Sequence, residues 1–232
     1  MSPRAGQPQP VHGAILFDLD GTLIRGDLAR WYLLDAMRRR PVRMLPALLV
    51  APLVLPLFLS PRWRRHATTT FFWIATVGRR PREVFREFRR FARSFVAPRP
   101  PSRTKLRGPA IERLRAESER GVPVAVVTGC AAPLAHAFVL ALGLPRVRVV
   151  GSVARWRVGG LVIAVHCYGE RKVPLAEAAG VPPPWRACYT DSARDVPLLR
   201  ASAVRVLVCP SAQTRRAVEA ALGGPVRVET WS

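Results

Sequence analysis

Two aspartates stand two residues apart at the end of an apolar run, in ILFDLDGTL over Ile15–Leu23. Side chains at i and i+2 of a strand share a face, so Asp18 and Asp20 are expected to project together while Leu19 points away. Close carboxylates repel, which raises one pKa and lowers the other. That asymmetry suits one ionised nucleophile beside one group able to hold a proton. Gly21 permits a tight turn and lets a ligand approach bare backbone. A second acidic pair, Asp191 and Asp195, sits one helical turn apart in YTDSARDVPLL (Tyr189–Leu199). Ser192 through Asp195 also fits a capping box. The chain has only six Asp, however, and four of them fall in these two motifs. Two strand ends that each carry an acidic pair form an oxygen-rich cluster suited to Mg²⁺, with water and substrate phosphate completing the octahedron.

Two further segments supply phosphate-binding chemistry. In VAVVTGC (Val124–Cys130) the Thr128 hydroxyl and free amides near Gly129 can hold phosphate oxygens, helped by the start of a following helix. A plain strand-to-helix turn reads the same way. In CYGERKVPL (Cys167–Leu175), Lys172 is one of only two lysines among 37 basic residues, the other being Lys105. A compact ammonium there can reach into carboxylates and phosphate, or simply be solvated.

These groups need a scaffold. Strands are expected at Ala14–Leu19, Val122–Thr128, Arg146–Val150, Arg186–Thr190 and Val204–Val208, separated by helical patterns at Pro109–Arg120, Pro133–Leu142, Arg171–Ala179, Ala193–Arg200 and Ala212–Leu222. Such alternation predicts an α/β fold, a Rossmann-like parallel sheet with right-handed crossovers. Apolar segments flanking Gly159-Gly160 signal a hairpin within Ser152–His166. Ligands in such sheets bind at the carboxyl ends of the strands, where Asp18 and Asp20 fall.

Residues 25–104 hold no convincing parallel strand and read as an inserted α-helical cap, which leaves residues 13–24 and 105–232 as the catalytic core and residues 1–12 as a disordered tail. Over residues 25–120, 23 basic residues face seven acidic ones. Within the cap, Met44–Leu59 is uncharged and almost wholly apolar; as a helix it would be about 24 Å long, short of the ~30 Å hydrocarbon core. Arg38, Arg39, Arg40 and Arg43 precede it, and Arg62, Arg64 and Arg65 follow. Charge on both flanks disfavours a simple span. Arg82–Val96 is a basic amphipathic helix with Phe85, Phe88, Phe91 and Phe95 in a stripe. It is expected either to lie on an anionic membrane or to pack its phenylalanines inward. Asp18 precedes the cap, while Thr128, Lys172 and Asp191 follow it. All must meet in one aqueous site, so the insert crosses a bilayer an even number of times, and zero crossings with a re-entrant or interfacial Met44–Leu59 is the expectation.

The net charge of +22 favours anionic partners. No nucleic-acid motif is visible, and a non-catalytic basic binding protein is disfavoured by the intact acidic set. The four cysteines form no C-x-x-C pair, which gives no sign of zinc or a redox motif. No secretory signal is visible at the start.

The ordered set Asp-x-Asp, Thr, Lys, Asp-x-x-x-Asp resembles the haloacid dehalogenase (HAD) superfamily, in its helical-cap subclass IB, over roughly residues 14–222. The resemblance implies a Mg²⁺-dependent phosphatase. Asp18 would be the nucleophile, Asp20 the general acid/base, Thr128, Gly129 and Lys172 the phosphate-binding groups, and Asp18, Asp20 and Asp191 the metal ligands, with Asp195 in support. FDLDGTL, the Pro- and Leu-rich cap segment, TGC, CYGERKV and YTDSARDVPLL together are similar to the phosphatidylglycerophosphatase C family. That similarity implies a lipid phosphate substrate, anionic phospholipid as partner, and a place on the cytoplasmic face of the bacterial membrane. The alternative is a soluble phosphatase acting on a small phosphomonoester such as phosphoserine, with Met44–Leu59 as cap core. Where Ser-Pro is expected after Thr128-Gly129, this chain has Cys130-Ala131.

Overall fold

The computed structural model of the chain describes residues 13–60, 63–97 and 105–231; the tail expected over residues 1–12 lies outside them. Seven strands form one sheet in the order β4-β3-β2-β1-β5-β6-β7. They are β1 (Ile15–Phe17), β2 (Val124–Ala131), β3 (Arg148–Arg157), β4 (Gly160–Val165), β5 (Trp185–Thr190), β6 (Ser202–Val208) and β7 (Arg227–Glu229). All neighbours run parallel except β3 and β4. β1 is central: Phe17 lies opposite Val126 of β2 and Tyr189 of β5. Parallel strands covered on both faces read as continuous apolar runs, and Ile15, Leu16 and Phe17 are all buried. Phe17 faces one core with Val126, Phe138 and Val206; Leu16 faces the other with Ala176, Leu198 and Val218.

Strand ends depart from expectation for identifiable reasons. β1 stops at Phe17, not Leu19, because the chain turns back on itself: the Leu23 and Ile24 amides donate to the Leu19 carbonyl and Gly21 donates to Ile24. β3 runs on to Arg157 and pairs antiparallel with β4, which makes the hairpin signalled by Gly159-Gly160. β7 has three residues, none fully buried, and carries no alternation to reveal it.

Between β1 and the next core helix, α5 (Gly108–Glu119), the described residues form α1 (Leu28–Arg39), α2 (Met44–Val54), α3 (Arg64–Thr76) and α4 (Pro81–Val96). α1 starts where the Asp27 carboxylate accepts the Arg30 amide, as an N-cap should. Tyr32 of α1 meets Phe88 and Phe91 of α4 edge-on, with centroids 4.8 and 5.6 Å apart. Its hydroxyl donates to Glu87, which also pairs with Arg79 at 2.6 Å. The expectation that Arg82–Val96 could lie on a membrane is corrected here. Phe88, Phe91 and Phe95 are buried, and Phe95 reaches Phe138 of α6 (Ala132–Ala141). Three of the four stripe phenylalanines are thus taken by protein partners, and Phe85, 38% exposed, stays at the surface.

The alternative that Met44–Leu59 is cap core holds only in part: Ala47 and Val50 pack against the main core. No residue of α2 is buried, and Leu49 and Leu53 are 70% and 78% exposed. No single described helix is long and apolar enough to cross a membrane; Leu28–Arg39 and Pro41–Leu57 would do so only as a pair bent by 116°. α3 covers the edge of the sheet. The Thr76 and Thr69 hydroxyls accept the Leu161 and Ile163 amides of β4, and Trp73 donates to the Val158 carbonyl. Protecting an edge strand in this way satisfies donors that would otherwise be open.

Candidate active site

The carboxyl ends of β1, β2 and β5 converge on one cavity of about 810 Å³. Asp18 follows β1 directly and Asp191 follows β5. Lys172 opens α7 (Lys172–Ala178), and Asp195 precedes α8 (Val196–Arg200). The buried Lys172 ammonium donates to Asp18 at 2.8 Å and to Asp195 at 2.7 Å. Thr190, at the end of β5, donates its hydroxyl to Asp195 at 2.7 Å. The capping box expected of Ser192 and Asp195 does not close. Ser192 does accept the Arg194 amide, but the Asp195 carboxylate turns inward to the ammonium, where it is 2% exposed.

Asp20 accepts the Leu28 amide at 2.7 Å and the Thr128 hydroxyl at 3.2 Å. Thr128 in turn accepts the Cys130 amide, so its side chain is fully buried and engaged. Gly129 lines the cavity, and the Ser152 hydroxyl donates to its carbonyl at 2.6 Å while accepting the Cys167 amide. Six of the seven residues singled out from the motifs line this cavity; Thr128, expected to bind phosphate, instead stands behind Asp20, fully buried, with its hydroxyl engaged by that carboxylate. Sequence reasoning missed Thr190, Ser152 and Arg107. Thr190 adjoins a motif and could have been suspected; the other two carry no signal in the chain.

The electrostatics are lopsided. Four aspartates surround one ammonium. Burial raises Asp18 well above the usual carboxylate range; Lys172 opposes this, and the neighbouring aspartates add to it. Asp20 is pushed up to about 7, by burial first and Asp27 second, against the Leu28 amide and Thr128 hydroxyl. Asp191 is raised by burial and by Asp195, partly offset by its own amide, Lys172 and Arg107. Burial alone would lower Lys172, but Asp18 and Asp195 raise it well above the ordinary value, so it stays charged.

This donor set fits a hard divalent cation. Asp191 Oδ1 is buried with no hydrogen-bond partner, and a buried polar atom of that kind ordinarily has one. Gly21 leaves the room: a Cβ there would stand 2.0 Å from Asp191 Oδ2. Asp18 and Asp191 would supply the carboxylate ligands. Among the described residues no three His, Cys, Asp or Glu side chains form a ready cage; Mg²⁺ is an ion that keeps waters and takes substrate phosphate as ligands. The Asp20 carboxylate is already engaged by Leu28 and Thr128.

The opposite wall is apolar: Leu33, Met37, Met44, Leu48, Leu55 and Phe71 of the cap face the carboxylates.

Residues 15–200 match the family model for haloacid dehalogenase-like hydrolases. A Bordetella pertussis Tohama I protein of unknown function superposes with TM-score 0.71 at 20% identity, over 94% of this chain and 98% of that one. A substrate-bound phosphoserine phosphatase superposes with TM-score 0.56 at 15% identity, over 97% and 96% of the two chains. A phosphoserine phosphohydrolase-like protein from Francisella tularensis subsp. tularensis SCHU S4 gives 0.55 at 15%, over 93% and 94%. At these identities the three show a shared fold.

Proposed function

We propose a function from one premise: this chain belongs to the haloacid dehalogenase-like hydrolase family. It is an enzyme, a phosphatase of that superfamily, and we infer that it hydrolyses phosphomonoesters through an aspartyl-phosphate on Asp18 with Mg²⁺ as cofactor. The observation that carries this reading is the meeting of Asp18 and Asp191, from distant parts of the chain, around Gly21, with Lys172 held between Asp18 and Asp195.

A phosphomonoester dianion must approach an anionic nucleophile. The Lys172 ammonium offsets that repulsion, and Gly129, in the irregular end of β2, lines the cavity beside it. Bound Mg²⁺ would supply charge neutralisation of the phosphoryl oxygens, held by Asp18 and Asp191. Asp18 attacks phosphorus: an O–P bond forms to its carboxylate as the bond to the leaving oxygen breaks. Asp20, protonated near neutral pH, gives its proton to the departing alkoxide. The same carboxylate then takes a proton from water as that water attacks phosphorus. The acyl-phosphate bond breaks, Asp18 is regenerated, and inorganic phosphate leaves. Thr128 and the Leu28 amide aim Asp20 throughout.

Two readings of the leaving group rest on separate observations. The comparisons favour a small phosphomonoester such as phosphoserine, since proteins with that name superpose over nearly their whole length. The apolar cavity wall and the exposed α2 favour an amphiphile, phosphatidylglycerophosphate, dephosphorylated at the cytoplasmic face of a bacterial membrane with anionic phospholipid as partner. Phosphate release from both substrates, with Mg²⁺ and with EDTA, tests class and substrate together. Asp18→Asn is expected to abolish release and to trap no acid-stable phosphoenzyme; turnover near wild type in that variant overturns the mechanism.

A further inference from the structure

Gly21 has φ +87° and no side chain to anchor it. A glycine at such a place gives the chain freedom to turn but nothing to hold the turn still. Yet this loop carries Asp18 and Asp20 on one side and presses against the Asp191 carboxylate on the other. Its own hydrogen bonds close the turn; a further contact ties it to the rest of the core.

Arg107 supplies it. This residue lies on the return crossing from cap to core, where its amide donates to the Leu23 carbonyl at 2.9 Å. Its guanidinium donates from Nε to the Gly21 carbonyl at 2.9 Å and from a terminal nitrogen to the Trp231 carbonyl at 2.8 Å. The same nitrogen reaches Cys209 Sγ at 3.2 Å, and the Trp231 amide donates to that sulfur at 3.1 Å. The rigid fork of a guanidinium is suited to bridging two fixed acceptors.

Trp231 is buried and stacks on Tyr189, with centroids 5.6 Å apart and planes at 22°. Tyr189 stacks on Phe17 at 4.7 Å and 5°. Phe17 immediately precedes Asp18, and Tyr189 lies two residues before Asp191. One aromatic column therefore runs beneath both strand ends that carry carboxylates, and Arg107 ties the top of that column to the loop between them.

We propose that Arg107 and Trp231 are positioning residues: together they clamp the Asp18–Gly21 loop against Asp191 and set the spacing of the two carboxylates. The inference rests on the reading that these two carboxylates hold Mg²⁺.

Isothermal titration of substrate-free protein with Mg²⁺ tests this without turnover. Partners that orient metal ligands from outside the ligand shell typically change affinity 10- to 100-fold. Arg107→Lys and Trp231→Ala are expected to weaken Mg²⁺ binding by about that factor, while Trp231→Phe, which keeps a stacking ring, stays within about threefold of wild type. In steady-state assays kcat falls in parallel and KM moves less than about twofold. If Trp231→Ala does not fold, Trp231→Leu takes its place. Equal Mg²⁺ affinity in wild type, Arg107→Lys and the column-breaking variant overturns the clamp alone. A wild type that binds no Mg²⁺ and releases no phosphate removes the metal reading beneath it.

Discussion

Replacing Lys172 by Met isolates the central electrostatic claim. The ammonium is 5% exposed and sits 2.8 Å from Asp18 and 2.7 Å from Asp195, whose side chains are 8% and 2% exposed. Removing one partner of a buried ion pair costs about 3–5 kcal/mol, because the other charge is left uncompensated. For a domain of this size each kcal/mol moves Tm by about 2–4 °C, so a fall of roughly 6–20 °C is expected at pH 8. The pH dependence has a definite sign. Without the ammonium, Asp18 loses the charge that opposes its burial, and its folded-state pKa rises further. A group whose folded pKa is raised above its unfolded value contributes stability at low pH that is lost as pH climbs through the raised value. Lys172 in the wild type stays protonated across this window, its own pKa being raised. The gap between variant and wild type should therefore be narrow at pH 5 and wide at pH 8. Thermal melts followed by circular dichroism, in EDTA so that no metal contributes, read it directly. Phosphate release at pH 7 should fall by about 10²–10³-fold, the usual cost of losing one preorganised electrostatic group. Adding Asp195→Asn should restore part of the stability but not the activity, since the two sites couple. A Lys172→Met protein that melts within 2 °C of wild type at pH 8, or loses the same amount at both pH values, would refute the reasoning.

Other perturbations follow from the same geometry. Gly21→Ala places a methyl 2.0 Å from Asp191 Oδ2 at φ +87°; it should cost about 1–3 kcal/mol in denaturant melts and weaken Mg²⁺ binding, and an unchanged Mg²⁺ affinity would contradict the close approach. Asp20, at about 7, must be protonated to assist departure; kcat for an alkyl phosphate should fall as pH rises above about 7, and Asp20→Asn should remove that limb, which a pH–rate profile will show or deny. Leu49 and Leu53 lie largely in solvent; Leu49→Glu with Leu53→Glu should leave Tm within about 1 °C yet reduce flotation with anionic vesicles, and wild-type protein absent from both anionic and neutral vesicle fractions would dismiss the membrane reading.

Much of this protein can be read along the chain. Apolar strands that end in carboxylates, Thr-Gly and a lysine in an arginine-rich chain are local patterns, and period-2 and 3.6-residue repeats report the elements that carry them. The α/β sheet and the places of Asp18, Asp20, Thr128, Gly129, Lys172, Asp191 and Asp195 follow from those patterns. Folding alone decided which partner each group takes. Asp195 could cap its own helix or leave it, and the buried ammonium of Lys172 drew it inward. The phenylalanines of α4 could face lipid or protein, and Tyr32 and Phe138 offered them protein. Leu45, Leu49 and Leu53 of α2, equally apolar, were left outward. Arg107 belongs to no pattern, and its role exists only because Gly21 and Trp231 arrive on either side of it. Periodicity tells a side chain which face it shares; a partner distant in sequence is specified only when the sheet brings it within reach.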